Sequence, residues 1–184
     1  MPIFWGKGQR ATLMSPSSVQ RRVRTLTAAV AAFMLVATAA YSEKVNPFTR
    51  FGGNWNGNGL IYLSNGNKEK IRCRTGFTAS DLGNIANLKL ILRCAGDSYN
   101  FEIQSELNHA NGAVTGTWTE ISRGVNGNVT GTVNDEKINA VAESQTFQAT
   151  LEIINQAEGK MQVRITSPGS EMTDVLIGLN RSAK

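Results

Sequence analysis

The sequence predicts an all-β protein, an antiparallel up-and-down β-barrel of about eight to ten strands that follows an N-terminal signal helix. Two observations predict this fold. After Arg50, nearly every segment alternates apolar and polar residues with a period of two, as half-buried strands do. Short turns rich in glycine and asparagine, such as Asn111-Gly112, join these segments, which is typical of antiparallel meanders. The same features also fit a two-sheet sandwich.

Ten segments carry the alternating pattern. In one of them Phe101 and Ile103 share a face and Glu102 lies on the other, which indicates one buried and one solvated face. The ten predicted strands are residues 55–63, 69–75, 88–95, 99–107, 113–121, 128–133, 138–142, 147–154, 161–166 and 174–179. The longest connection, residues 78–87, is expected to carry one helical turn with Ser80 as its N-cap.

Residues 1–42 are interpreted as a secretory signal peptide. A basic start (RRVR) precedes an apolar, alanine-rich stretch (LTAAVAAFMLV) and small residues suited to cleavage after Ala39 or after Ser42. Residues 1–13 lengthen the basic start, and Met14 is a second candidate for the start of translation. The alternative is an uncleaved membrane anchor, although the apolar stretch is shorter than the roughly 20 residues that a spanning helix needs.

The charge distribution separates this leader from residues 43–184, which we expect to form a single barrel domain in the periplasm or outside the cell. The net charge of +5 comes from five cations in residues 1–42, where there is no acid. From Glu43 onward fourteen Lys and Arg face fourteen Asp and Glu. Nucleic-acid binding needs basic charge on the folded domain itself, so we expect no nucleic-acid partner.

The chain contains two cysteines, Cys73 and Cys94, and both lie in the part expected to be exported. In an oxidising compartment an even pair favours one disulfide. Closing that loop would stabilise the fold by roughly 3 kcal/mol on the chain-entropy model. The alternative is a pair of buried free thiols.

The residues that could carry chemistry do not favour an enzyme. His109 is the only histidine, and its Asn-Gly-rich surroundings predict an exposed loop residue without the partners of a catalytic triad or metal site. Glu102 and Glu106 are assigned to a solvated face and Glu120 to a strand end, so we interpret them as solvated charges and not as an acid/base pair. We expect no enzymatic activity, no metal and no cofactor.

Several glycines fall on the faces predicted to point inward. They are Gly57, Gly59, Gly116, Gly127 and Gly131. Glycine within a strand marks a bend or a close approach of two backbones, so these residues are interpreted first as shaping the barrel. The alternative is that they leave space for an apolar ligand between Trp55, Phe101, Trp118 and Phe147.

Cations follow one another on a face predicted to point outward. They are Lys70, Arg72, Arg74, Lys89 and Arg93. If the second and third strands pair, as a Cys73–Cys94 bridge requires, these side chains form a basic patch. The patch would attract anionic glycans or lipid head groups, or remain a solvated face balanced by nearby acids.

The step Gly53-Asn54-Trp55, together with Arg181 in the closing stretch LIGLNRS, resembles the lipocalin and wider calycin pattern. The resemblance implies that Trp55 opens the first strand and that Arg181 packs across it to close the bottom of the barrel. The chain departs from that pattern in two ways. It has no helix before its last strands, and it lacks the middle motif of the Thr-Asp-x-x-Tyr type.

The exported part is also similar to secreted proteins of alphaproteobacteria that carry GxWxGxG, IxCR, LxCA and GxWxE. That similarity implies a cell-envelope location and implies no activity. Two hypotheses follow from the sequence. The first is a binding protein for a small apolar or amphipathic ligand held near Trp55 and Trp118. The second is a structural or interaction protein without a small ligand, which contacts an envelope protein, an anionic glycan or a lipid.

Overall fold

The computed structural model describes residues 45–183. The predicted signal peptide, both cleavage sites and the second candidate start at Met14 lie outside the described residues. In the described part, no helix has the length and hydropathy that a membrane crossing requires.

Ten antiparallel strands follow one another in chain order, and each pairs with its neighbours in the sequence. The last strand pairs with the first and closes the barrel. The strands are β1 (Gly53–Leu63), β2 (Lys68–Leu82), β3 (Ile85–Ala95), β4 (Asn100–Ala110), β5 (Ala113–Glu120), β6 (Val125–Val133), β7 (Lys137–Glu143), β8 (Gln148–Gln156), β9 (Lys160–Thr166) and β10 (Met172–Arg181). This confirms the predicted up-and-down barrel and decides against the sandwich.

The barrel has two ends, because successive strands run in opposite directions. We call the end where β1 begins and β10 ends the lower end; it also holds the turns after β2, β4, β6 and β8. The upper end holds the turns after β1, β3, β5, β7 and β9.

The period-two pattern sorts the side chains between the core and the solvent. In β3, Leu88, Leu90 and Leu92 are buried inside the barrel, whereas the alternating residues Lys89, Ile91 and Arg93 are exposed. Burying one such leucine contributes about 1.5–3 kcal/mol. A register slip of one residue would turn every leucine outward, so the apolar pattern specifies the register of this strand.

The inward glycines shape the wall. A Cβ atom at Gly57 would lie 1.9 Å from the backbone oxygen of Gly178, and one at Gly116 would lie 2.1 Å from that of Glu106. At these points the neighbouring backbone occupies the position of the missing side chain. These glycines therefore permit close strand coiling and do not leave room for a ligand.

The predicted helical turn in residues 78–87 is wrong. β2 continues to Leu82, β3 begins at Ile85, and only Gly83 and Asn84 separate the two paired strands. Gly83 has a φ of 63°, as the first central residue of a type II′ hairpin turn requires. The tight turn keeps the polar residues before Gly83 in the β2 ladder, and Ser80 pairs with Asn87 instead of capping a helix.

The predicted disulfide between Cys73 and Cys94 is confirmed. The two residues face each other in the β2–β3 pairing, with their Cα atoms 4.2 Å apart and a sequence separation of 21. Both are buried in the interior. The bridge therefore joins two neighbouring strands on the inner wall of the barrel.

Replacing both Cys73 and Cys94 by Ala should lower the free energy of unfolding by about 3 kcal/mol, because the unfolded chain regains the freedom that the bridge removes. Urea unfolding of the oxidised protein and of the variant measures the difference. A single replacement, Cys73→Ala, should cost at least as much, since it also leaves a buried thiol. Equal midpoints for the oxidised protein and the double variant would contradict the prediction.

Candidate ligand-binding site

Residues 45–52, the segment that leads into β1, close the lower end of the barrel. Phe48 and Phe51 of this segment are fully buried. The Asn46 side-chain amide donates to the backbone oxygen of Ser80 at 2.9 Å, and the Asn155 amide donates to that of Arg50 at 3.1 Å. Because these contacts reach β2 and β8, the segment crosses the lower end from one side of the wall to the other.

Trp55 and Arg181 fix this plug to the barrel. The guanidinium carbon of Arg181 lies 4.2 Å from the centre of the Trp55 ring. Arg181 also donates hydrogen bonds to the backbone oxygens of Gly52 at 2.6 Å and Arg50 at 3.2 Å. The Trp55 indole N–H donates to the backbone oxygen of Phe51 at 3.0 Å. This is the arrangement that the resemblance to lipocalins implies.

His109 belongs to the same end, and its prediction as an exposed loop residue is wrong. It lies in β4 on the inner side of the barrel, opposite Val114 and Ala86. Its ring meets Phe48 edge-on, with the ring centres 6.3 Å apart. The strand is longer than its Asn-rich sequence predicts, because Asn111-Gly112 forms a tight two-residue turn with φ values of 52° and 82°.

Above the plug, the interior holds a cavity of about 70 Å³. Its wall is almost entirely apolar and is contributed by β2 to β9 and by Phe147, the residue before β8. Leu90, Leu92, Ile103, Val129, Leu151 and Val163 are among the residues that line it. None of the residues described as lining the cavity is ionisable.

Trp118 and Phe147 stand on the cavity wall toward the upper end. Their rings meet edge-to-face with their centres 5.3 Å apart, a geometry that contributes about 0.5–1.5 kcal/mol beyond burial. The Trp118 indole N–H points at the backbone oxygen of Glu143, 3.4 Å away. A Cβ atom at position 127 would lie 2.9 Å from this indole nitrogen, so Gly127 makes room for the ring. Phe147 stays partly exposed.

The four aromatic residues predicted to surround a ligand do not share one space. Trp118 and Phe147 line the cavity, whereas Trp55 lies in the lower plug and Phe101 is buried beside Cys94. Trp55 and Phe101 therefore do not belong to the candidate site. The Trp55 ring lies beneath Arg181, and its indole N–H is bonded within the plug.

Small side chains create the space, and the sequence reasoning missed them. Ala142 on β7 and Ala149 on β8 are partners in the strand register, and both line the cavity. Two alanines opposite each other leave the volume that larger apolar residues fill elsewhere in the core. The sign of this space in the sequence is that alanines occupy three positions on the inward faces of the strands, namely Ala140, Ala142 and Ala149.

Two inward-facing acids hold the turns at the upper end. The Glu120 carboxylate, 8% exposed, accepts hydrogen bonds from the backbone N–H groups of Arg123 at 2.6 Å and Glu102 at 3.1 Å. Burial raises the pKa of Glu120, but these hydrogen bonds outweigh it, so the net shift of the pKa is downward. Glu69 likewise accepts from the backbone N–H groups of Ser98 and Tyr99, and the first of these bonds is the main cause of its lowered pKa.

The predicted basic patch lies on the outer wall of β2 and β3, away from the cavity. Arg74 and Arg93 are partners in the strand register. Arg93 forms a two-bond ion pair with Glu102, at 2.8 and 3.0 Å, and the Lys89 ammonium lies 3.9 Å from Glu106. Within residues 45–183 the other members of the patch have no ion pair with an acid. These are Lys70, Arg72 and Arg74.

The fold and the site define the class of protein: it is a closed ten-stranded β-barrel with one plugged end and an apolar interior cavity. The chain is similar to Rv2717c from M. tuberculosis, with a TM-score of 0.51 and 14% identity over 76% of this chain and 99% of that one. This likeness shows the shared fold. In residues 45–183 no cluster of three or more His, Cys, Asp or Glu is placed to hold a metal ion.

Two further solved structures are similar at lower TM-scores. The S-type phycobiliprotein lyase CPES from Guillardia theta has a TM-score of 0.46 and 10% identity, over 74% of this chain and 91% of that one. A redesigned β-barrel, mFAP1, bound to DFHBI, has a TM-score of 0.39 and 10% identity, over 75% of this chain and 100% of that one. No protein-family model and no curated protein matches the sequence, so the resemblance to secreted alphaproteobacterial proteins stays a prediction.

Arg181→Ala should lower the free energy of unfolding by roughly 1–2 kcal/mol, because it removes a contact between a cation and a ring and two hydrogen bonds from a charged donor. Chemical unfolding followed by tryptophan fluorescence measures the loss. Arg181→Lys is the matched control. It keeps the charge but not the planar guanidinium that reaches two carbonyls, so the stability of this variant should lie between that of Arg181→Ala and that of the unmodified protein. An Arg181→Ala variant as stable as the unmodified protein would contradict the role given to the plug.

Proposed function

We propose that this protein is an exported β-barrel of the cell envelope that binds a small, mainly apolar molecule inside the barrel and carries out no chemistry on it. The observation that carries the proposal is the apolar cavity between the lower plug and the Trp118–Phe147 pair. A concave, mostly apolar space with a few polar groups is the usual form of a small-molecule site.

The arrangement of the two ends supports binding. The lower end is held by the contacts of Arg181, Asn46 and Asn155, so it is the stable floor. Phe147 at the upper end is partly exposed, and its ring is the part of the cavity wall that we propose as the entrance. A ligand therefore enters past Phe147.

The cavity volume limits the ligand. About 70 Å³ is less than half of the roughly 150 Å³ of an engineered cavity that binds benzene. A narrow alkyl group fits the space as it stands, whereas a larger ring needs Phe147 to turn outward. The proposed ligand is therefore slender and has one chain or a single small ring.

The disulfide supports the proposed location. Bridges between cysteines persist in oxidising compartments and are rare in the cytosol. The buried Cys73–Cys94 bridge is thus consistent with a protein that works in the periplasm or outside the cell.

The ligand site can be tested with 1-bromobutane, a narrow apolar probe whose heavy atom quenches indole fluorescence on contact. The chain has three tryptophans, Trp5, Trp55 and Trp118, so a variant with Trp5→Phe and Trp55→Phe reports on Trp118 alone. This variant should show saturable quenching. Ala149→Leu in that background should abolish the saturable phase, because the added methyl groups fill the cavity.

The matched control for this experiment is Ala113→Leu, which adds the same atoms at an exposed position on β5. It should leave the saturable phase unchanged. Quenching that rises linearly with probe concentration, and to the same extent in all variants, would show collision in solution and contradict the proposed site.

A second candidate function rests on the cations of β2. Lys70, Arg72 and Arg74 lie on one outward face and have no acid partner among the described residues, while Arg93 and Lys89 beside them are paired. Unpaired cations on one face attract anionic surfaces, an effect that salt weakens. The alternative function is an envelope protein that docks on an anionic lipid surface through this patch.

Co-sedimentation with phosphatidylglycerol vesicles separates this candidate from the first. If the patch docks on these vesicles, the protein should sediment with them at low salt and not at about 0.5 M salt. At the higher salt the screening length falls well below the roughly 10 Å that applies at about 0.1 M, so the attraction is lost. Arg72→Glu combined with Arg74→Glu should abolish sedimentation. Arg164→Glu, at a cation already paired with Asp174, is the control and should not. Equal sedimentation of both charge variants would contradict this candidate function.

A further inference from the structure

We propose that a groove on the outer wall of the barrel binds a linear acidic polysaccharide. Cations of β2 pair with the acid groups of the chain, and asparagines of β1 bond to its hydroxyl groups. The inference is independent of the interior cavity. It uses cations of the second candidate function but names a different partner, a carbohydrate chain instead of a lipid surface.

The groove, which we call the outer groove, follows β1 and β2 along the outside of the barrel. Asn56 and Arg74 line its lower part, and Lys70 lines its upper part. Asn58 and Arg72 line both parts, so the groove is continuous. All five side chains are exposed, which makes them accessible to a large ligand.

Small residues on both sides of these strands leave the outer groove open. Gly178 of β10 lies opposite Asn58, and Ala95 of β3 lies opposite Arg72. Neither position carries a side chain that could cover its neighbour. A chain can therefore lie along the two strands, in contact with both.

Within the outer groove, the polar side chains form two parallel lines. Successive outward residues of a strand are roughly 7 Å apart, and directly opposite residues of paired strands are about 5 Å apart. A line of three cations on β2 therefore runs beside a line of three amides on β1. The cations are Lys70, Arg72 and Arg74, and the amides are those of Asn54, Asn56 and Asn58.

The hydrogen-bonding groups of the outer groove are mostly free. Within residues 45–183, neither Arg72 nor Arg74 forms an ion pair or a side-chain hydrogen bond. The Asn56 amide donates to the Ser182 hydroxyl at 2.8 Å, whereas Asn58 has no such bond among the same residues. The guanidinium groups and the Asn58 amide are thus available to a ligand.

The position of Arg74 favours an anionic ligand. Arg74 lies directly opposite Arg93 in the β2–β3 register, and like charges in that arrangement destabilise a sheet. Arg93 is compensated by its ion pair with Glu102 on the other side. An acid group bound in the outer groove would supply the missing compensation for Arg74.

The two lines together define the class of ligand. Cations spaced regularly along one strand match acid groups spaced along one extended chain, whereas a lipid surface presents its anions in a plane. A side-chain amide both donates and accepts hydrogen bonds, as a sugar hydroxyl does. A line of amides beside a line of cations therefore matches a chain that carries hydroxyl groups as well as acid groups.

Polygalacturonate tests the inference, and polyglutamate is the matched probe, because it carries carboxylates without hydroxyl groups. Calorimetric titration of the full chain at low ionic strength measures both. Arg72→Gln combined with Arg74→Gln should weaken both chains roughly tenfold, since each exposed ion pair contributes a factor of a few. Asn58→Ala should weaken polygalacturonate roughly threefold, through one lost hydrogen bond, and leave polyglutamate unchanged.

Two exposed residues elsewhere on the outer wall serve as controls. Arg164→Gln removes a cation that is paired with Asp174, and Asn128→Ala removes an amide on β6. Neither change should alter the binding of either chain. Arg74→Gln without ligand should unfold at the same or a slightly higher temperature, because it removes the like charge opposite Arg93.

The outcomes separate the partners. If both chains bind equally and Asn58→Ala affects neither, the outer groove is a general anion surface and the polysaccharide is the wrong ligand. If phosphatidylglycerol vesicles bind the protein and polygalacturonate does not, the lipid surface is the partner and the inference is wrong. If neither chain binds, the inference also fails, whereas the quenching test of the interior cavity is unaffected.

Discussion

The pairing of β1 with β10 is the interaction on which the rest of the structure depends. It removes both free edges of the sheet and turns one face of every strand into an interior. A closed interior must be filled by side chains or remain empty, and its two ends must be covered or remain open. In this protein Phe48 and Trp55 fill the lower end of the interior, whereas the small side chains of Ala142 and Ala149 leave space above it.

The same closure explains where charge lies. Polar side chains point outward along every strand, and those of β3 and β4 pair across the register, as Arg93 does with Glu102. The inward acids Glu69 and Glu120 occur where strands end and backbone N–H groups of the turns are available. The described residues that line the middle of the interior therefore carry no charge.

Local sequence patterns were enough to predict the strands and most of their turns, although these patterns fit a two-sheet sandwich as well as a barrel. Alternation and Asn-Gly turns predicted ten strands, and the two cysteines predicted the bridge, because each signal is carried by residues close in sequence or unique in type. Patterns that depend on the register across strands were not predictable. The pairing of Ala142 with Ala149 and the inward position of His109 both follow from which residues face one another after closure.

The central claim is that the middle of the barrel is an apolar space open to small molecules. Xenon is the most direct probe, since it enters dry apolar cavities and makes no hydrogen bonds. A crystal held under xenon pressure should show a xenon atom between Leu92, Trp118 and Leu151. A structure in which these side chains close on one another, with xenon absent from the interior, would contradict the account.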